Sequence, residues 1–288
     1  MFRRDVAVGV MIVGLLCTPV LEARERQLRF VQPNKRKFLA YNVGLTSVFT
    51  LVTAVVQRQI HSPRDAVRDL LIGSGAGASF YEAKRIAGGG RVTEGWLIAN
   101  AASTIIENTA SGEHPLGQIG YTVGPLRFRF ATPLSRKAVA RIEADWSLAE
   151  TVFLGVARRD ANHVRLRNGL IAINRDSGWP TNDVAGGLFG GRTSGVFPGV
   201  APGQGPVTWA HETIHAIQCQ QLDSVEPPVY TFDGGALERS EPHRLFAIRH
   251  VRLGFTHLAN APTFKRPYVE RWGEVEAYGL AQYTPVHP

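Results

Sequence analysis

The sequence predicts an α+β fold: a helical N-terminal third, then an antiparallel sheet, then a helix carrying His-Glu-x-x-His and a C-terminal helix bearing glutamates. Three observations predict it. Apolar residues recur at helical spacing over the first third, strict alternation begins beyond Gly117, and a helical period returns at Pro206. With 288 residues, 44% of them hydrophobic and 19% charged, the chain has the make-up of a folded protein. No repeat suggests a solenoid or propeller. A net charge of +8 and a pI near 9.9 favour contact with anionic surfaces. Nucleic acid is not expected, because aromatic residues are not interleaved with the basic ones for base stacking. Two cysteines, Cys17 and Cys219, make no disulfide framework.

Residues 1–23 have the layout of a signal peptide, which predicts export and a mature chain starting near Arg24. Arg3 and Arg4 precede an apolar run over 6–16, Pro19 breaks it, and Leu21-Glu22-Ala23 forms the cleavage site. Leu16 before Cys17 is too large for a lipoprotein signal. Residues 24–110 form the helical region. Within it, 38–57 carry no charge and match the roughly 20 residues that cross a bilayer. Asn42, Thr46, Ser47, Thr50, Thr53 and Gln57 make this stretch more polar than an ordinary span. Val48, Leu51, Val52 and Val55 equally suit a buried helix with that stripe inward. Both readings stand: a soluble helix, or a membrane-associated one. The next helix, 64–85, contains Gly73, Gly75 and Gly77; lacking a preceding strand and a G-x-G-x-x-G register, they predict close helix packing and no dinucleotide site. A third helix covers 96–106.

Residues 111–288 form the sheet and the catalytic region. Leu126-Arg127-Phe128-Arg129-Phe130 alternates as a half-buried strand does, and 139–142, 151–156 and 164–173 read as further strands. The alternation predicts that Arg127, Arg129, Arg165 and Arg167 point outward, as a solvated face or one that meets phosphates of lipid or another anionic polymer. Residues 186–205 include eight glycines and predict a long loop.

The chemistry sits in His211-Glu212-Thr213-Ile214-His215. On a helix, imidazoles four residues apart share one face and can grip one metal ion, while Glu212 reaches a water beside it. Pro206 suits the first turn, Val207, Ala210, Ile214 and Ile217 form the buried stripe, and Asp223 and Pro227-Pro228 supply the stop. Gln218 and Gln221 stand where a metzincin would need Gly and His, and Cys219, on the same helical line, is expected to be a packed thiol. No G-x-S-x-G elbow or phosphate-binding loop competes. With Glu274-Val275-Glu276-Ala277-Tyr278 downstream, the sequence resembles the gluzincin class of zinc metallopeptidases and poorly characterised bacterial zincin-like domains. The resemblance covers 211–278 only. It implies that His211, His215 and Glu274 hold Zn2+, with Ala277 packing on the metal helix; Tyr278 stands where many members carry Asp. Glu276 is the alternate third ligand, and Asp233, Glu238, Glu241 and His243 are fallbacks. It further implies hydrolysis of a peptide or protein substrate, with Glu212 as general base; His250, His257 and Tyr278 are candidates, by residue type alone, for steadying the oxyanion. The competing reading is a noncatalytic, basic envelope or membrane-surface protein with a structural or vestigial metal site.

Overall fold

Asn34 and Ser62 start the first two helices of the computed structural model, which describes residues 34–123, 126–135, 140–145, 161–167, 170–175, 199–200, 206–225, 229–230, 246–250 and 272–281. The Asn34 side chain accepts from the Lys37 amide at the start of α1 (Lys35–Val56). Ser62 accepts from the Asp65 amide at the start of α2 (Pro63–Gly88), which adds Pro63 in its first turn. Helix α3 (Val92–Ala110) follows. The predicted signal segment lies outside the described residues.

These helices pack closely because α2 is notched by glycine. A Cβ on Gly77 would stand 2.5 Å from the Asn42 carbonyl oxygen and 2.8 Å from the Val43 Cα of α1. Gly77→Ala therefore forces the two backbones apart, and overpacking of this kind is expected to cost about 1–3 kcal/mol. A chemical denaturation curve indistinguishable from the parent's would contradict this packing.

Helix α1 turns its expected stripe only part-way inward: Val48, Leu51 and Val52 are half-buried and Val55 is 52% exposed, whereas Asn42, Thr46, Ser47, Thr50 and Thr53 are buried. The inward polar groups are satisfied locally and across helices. Ser47 and Thr50 donate to the carbonyls of Val43 and Thr46, the Ser47 and Ser74 hydroxyls lie 2.8 Å apart, and Gln221 donates to Thr46. Periodicity located the helix but not its buried side, because hydrogen bonding outweighed hydropathy.

Helix α3 carries the first sheet. The strands are β1 (Gln118–Val123), β2 (Leu126–Ala131), β3 (Arg141–Asp145), β4 (Ala161–Arg167), β5 (Leu170–Arg175) and β6 (Gly199–Val200). Beyond α4 (Pro206–Val225) come β7 (Val229–Tyr230), β8 (Phe246–His250) and α5 (Trp272–Leu280). One sheet runs β1-β2-β3-β8-β7 and the other β4-β5-β6. The predicted antiparallel pairing holds for β1-β2-β3 and β4-β5, while β3-β8 and β5-β6 are parallel. The stretch read as one strand over 164–173 belongs to two, and the intervening Asn168-Gly169 is a hairpin signal that should have divided them. The expected strand over 151–156 lies outside the described residues.

The free edge of β1 is covered by side chains of α3. Trp96 donates to the Thr122 carbonyl, Asn100 accepts from the Thr122 amide, Thr104 accepts from the Gly120 amide, and Asn108 donates to the Gln118 carbonyl. The match is metric: four helical residues advance about 6 Å, close to the roughly 6.7 Å of two strand residues. An edge that would otherwise recruit another strand is thereby satisfied.

The sheet face against α3 is the arginine face, which corrects the outward placement of Arg127 and Arg129. Both are buried, as are Glu107 of α3 and Glu143 of β3. Arg127 Nη2 lies 2.9 Å from Glu107 Oε2, Arg129 pairs with the same carboxylate, and Arg129 Nε lies 3.0 Å from Glu143 Oε1. Phe130 and Ile119, across the β1-β2 register from one another, are 52% and 59% exposed. Buried counter-charges set which side of the strand turns inward. The side chains of Arg165 and Arg167 lie outside the described residues.

Helix α4 runs through the interior. Trp209, Ala216, Ile217 and Leu222 join Phe80 of α2 and Trp96 of α3 in the main apolar cluster. A smaller cluster of Phe38, Tyr81, Ile214, Ala277 and Leu280 clamps α5 onto α1, α2 and α4.

Candidate metal centre

Helix α4 presents His211 and His215 to the first turn of α5, where Glu274 waits. His211 Nε2 and His215 Nε2 lie 3.1 Å apart, His215 Nε2 is 3.3 Å from Glu274 Oε1, and His211 Nε2 is 3.4 Å from Glu274 Oε2. The two rings meet edge to face with centroids 4.7 Å apart, so their nitrogens converge on one point. Two imidazoles and one carboxylate in this arrangement could hold a metal ion. Ligands about 2.0–2.1 Å from an ion at the centre of a tetrahedron stand roughly 3.3–3.4 Å from one another. The two histidine–glutamate distances are of this size but end on different oxygens of Glu274, and one donor atom from each of the three residues lies within 4.8 Å of the others.

The sequence left Glu274 and Glu276 as alternatives; the geometry separates them. Glu276 is buried on the opposite side of α5, where Lys84 Nζ lies 2.9 Å from its Oε2 and Asn42 donates to its Oε1. Ala277 shares a buried cluster with Ile214 of α4, as the resemblance implied. Glu212 is half-buried on α4, outside the ligand triangle. Cys219 is partly buried. The fallback residues Asp233, Glu238, Glu241 and His243, together with His257 and the side chains of His250 and Tyr278, lie outside the described residues. So does the stretch over 186–205, apart from β6.

Four polar residues behind the ligands escaped the sequence reading. Gln218, Gln221, Lys84 and Asn42 join Glu276 in one buried network: Lys84 donates to Asn42, Gln221 and Glu276, and Gln218 donates to Glu276. The available signal was a lysine amid the small residues of α2 and an asparagine in an uncharged helix. Each had to find a partner if buried. Burial pushes the Lys84 ammonium below the usual lysine range, and Glu276 opposes that shift.

Burial also pushes the His215 imidazole down, but the nearby carboxylates of Glu274 and Glu212 and the hydrogen bonds that His215 donates to Glu274 and Gln218 outweigh it. The result is a rise from 6.5 to about 9. A group raised on folding stabilises most below its unfolded pKa and loses that contribution as pH climbs through the folded one. The metal-free protein is therefore expected to lose stability between about pH 6.5 and about pH 9. A ligating His215 is neutral, so the metal-loaded protein should lack that slope and should release a proton on loading at pH 7. Thermal melts across this range, with and without chelator, check it; parallel curves would refute it.

Compared with family models, curated proteins and solved structures, the chain matches none, and the geometry of His211, His215 and Glu274 carries the functional reading.

Proposed function

We propose that this chain is an exported, zinc-dependent metallopeptidase, with His211, His215 and Glu274 as metal ligands and Glu212 as general base. The observation that carries the reading is the cluster of two imidazole nitrogens and a carboxylate on adjoining helices, with Glu212 one residue from His211. Two nitrogens and one oxygen with a position left open are the donor set of catalytic zinc. Zinc held there supplies Lewis acidity, acidifying water and polarising a carbonyl. The chain's own residues do the rest: the Glu212 carboxylate takes a proton from the attacking water and returns it to the leaving amine nitrogen. Helices α4 and α5, clamped by Ile214, Ala277 and Leu280, hold the ligands in place beforehand.

The noncatalytic envelope reading drew on an outward basic sheet face, and burial of Arg127 and Arg129 takes two of its four arginines away. Membrane association keeps a different one. Helix α1 is long and apolar enough to cross a bilayer by length and composition, although a core helix or a signal sequence passes the same test. Less than half of its most apolar stretch is buried, and its polar stripe faces the protein. The chain is accordingly expected in the membrane fraction outside the cytoplasm, released by detergent and not by high salt; recovery in a salt wash would place it on the surface only.

Metal analysis tests the ligand set. One zinc per chain is expected to copurify, His211→Ala and Glu274→Ala should each lose most of it, and turnover of a broad peptide library should disappear with it. Zinc retained by Glu274→Ala would refute this centre.

A further inference from the structure

We propose that Gln218 is a positioning residue of the metal centre, held by the buried Glu276–Lys84 pair so that one amide aligns His215 and Glu274 together. The inference rests on the metal-centre reading above. His215 Nδ1 lies 2.8 Å from Gln218 Oε1, while Gln218 Nε2 donates to the Gly273 carbonyl at 3.0 Å and to Glu276 Oε2 at 2.8 Å. The last two partners accept only, so the Gln218 amide has one acceptable orientation: its nitrogen toward α5 and its oxygen toward His215. That oxygen takes the Nδ1 proton and leaves the Nε2 lone pair aimed at the point shared with His211 and Glu274. A metal-ligating histidine ordinarily needs such a partner on its other nitrogen to fix ring orientation and raise its basicity.

The second half of the device lies on α5. Gly273 and Glu276 flank Glu274 on both sides in the chain, so the hydrogen bonds that anchor Gln218 also anchor the turn presenting the third ligand. Gly273 has no side chain to obstruct this, and a Cβ there would stand 3.3 Å from Gln218 Oε1. Glu276 can accept from Gln218 while buried because Lys84 supplies its counter-charge and Asn42 a further donor. A carboxylate so enclosed has a fixed direction, which it passes to the amide and thence to the imidazole. Glu276 therefore acts on the metal through Gln218 and not as a ligand.

The experiment is a zinc titration against a chromophoric chelator, with the cobalt(II) d–d spectrum as a reporter of coordination, on the full chain and three variants. Gln218→Met keeps length and removes both hydrogen-bonding roles; it should weaken zinc binding about 10–100-fold and change the cobalt spectrum, with the metal-free protein still folded at the titration temperature although it melts somewhat lower without these hydrogen bonds. Glu276→Gln should weaken binding as well, and should also lower the melting temperature of the metal-free protein because Lys84 loses its counter-ion. The double variant should bind zinc no more weakly than Gln218→Met alone, since a residue acting through another adds nothing once the intermediary has gone. Wild-type zinc affinity in Gln218→Met, or two losses that multiply in the double variant, would overturn the proposal and leave the metal centre standing. A parent chain that binds neither zinc nor cobalt would instead remove the metal centre itself, and this inference with it.

Discussion

Glu212→Gln is expected to leave fold and zinc content intact and to cut peptide turnover by about 10²–10⁴-fold, the usual contribution of a general base. The substitution keeps the size of the side chain and removes only its ability to take a proton. Glu212 is not part of the ligand triangle, so metal content should follow His211, His215 and Glu274 alone. Its charge does act on His215 in the metal-free protein, so a small change in metal affinity is expected, well short of that from losing a ligand. His211→Ala, by contrast, should lose zinc and turnover together. A Glu212→Gln protein as active as its parent would make the centre structural, and one that loses its zinc would make Glu212 a ligand.

The parts of this molecule that were legible in the sequence are those governed by local spacing. His211 and His215 had to share a helical face, and the Pro206 start and Pro227-Pro228 stop bracketed the helix that ends at Val225. The three N-terminal helices fell within a few residues of their predicted bounds, and the glycines Gly73 and Gly77 do pack against α1. What spacing could not give was the inward direction of α1 and of β2. In both, a polar stripe alternates with an apolar one, and hydropathy assigns the apolar stripe to the interior. The interior of this protein instead holds partners for the polar stripe: Glu276 and Gln221 for Asn42 and Thr46, Glu107 and Glu143 for Arg127 and Arg129. These partners lie far away in the chain, so no window of sequence contains the pair. Glu274 and Glu276 remained interchangeable for the same reason. Lys84, on a helix nearly 200 residues earlier, tells them apart together with Asn42 and Gln218.

The reversed sheet face leads to the second large effect. Glu107→Gln is expected to destabilise the protein by about 3–5 kcal/mol, the cost of leaving a buried charge uncompensated. The Glu107 side chain is 4% exposed, and its Oε2 receives both Arg127 and Arg129, whose side chains are 7% and 9% exposed. With the carboxylate neutralised, two guanidinium groups compete for Glu143 and for the hydroxyls of Ser103 and Thr104, and water has little access to make up the difference. The cluster joins α3 to β2, and α3 supports α4 through the hydrogen bond that Gln220 donates to Asn100. Zinc affinity of the folded protein should nevertheless hold, because the cluster links α3 to the sheet whereas His211, His215 and Glu274 stand on α4 and α5. Replacing Glu107, Arg127, Arg129 and Glu143 together by apolar residues of similar volume should restore most of the loss, since a buried ionic cluster is often no more stabilising than good packing. Equilibrium denaturation of the single and fourfold variants separates the outcomes. A change under about 1 kcal/mol for Glu107→Gln is what a surface ion pair would give, and it would mean that the arginines face water and that the sheet is the other way round.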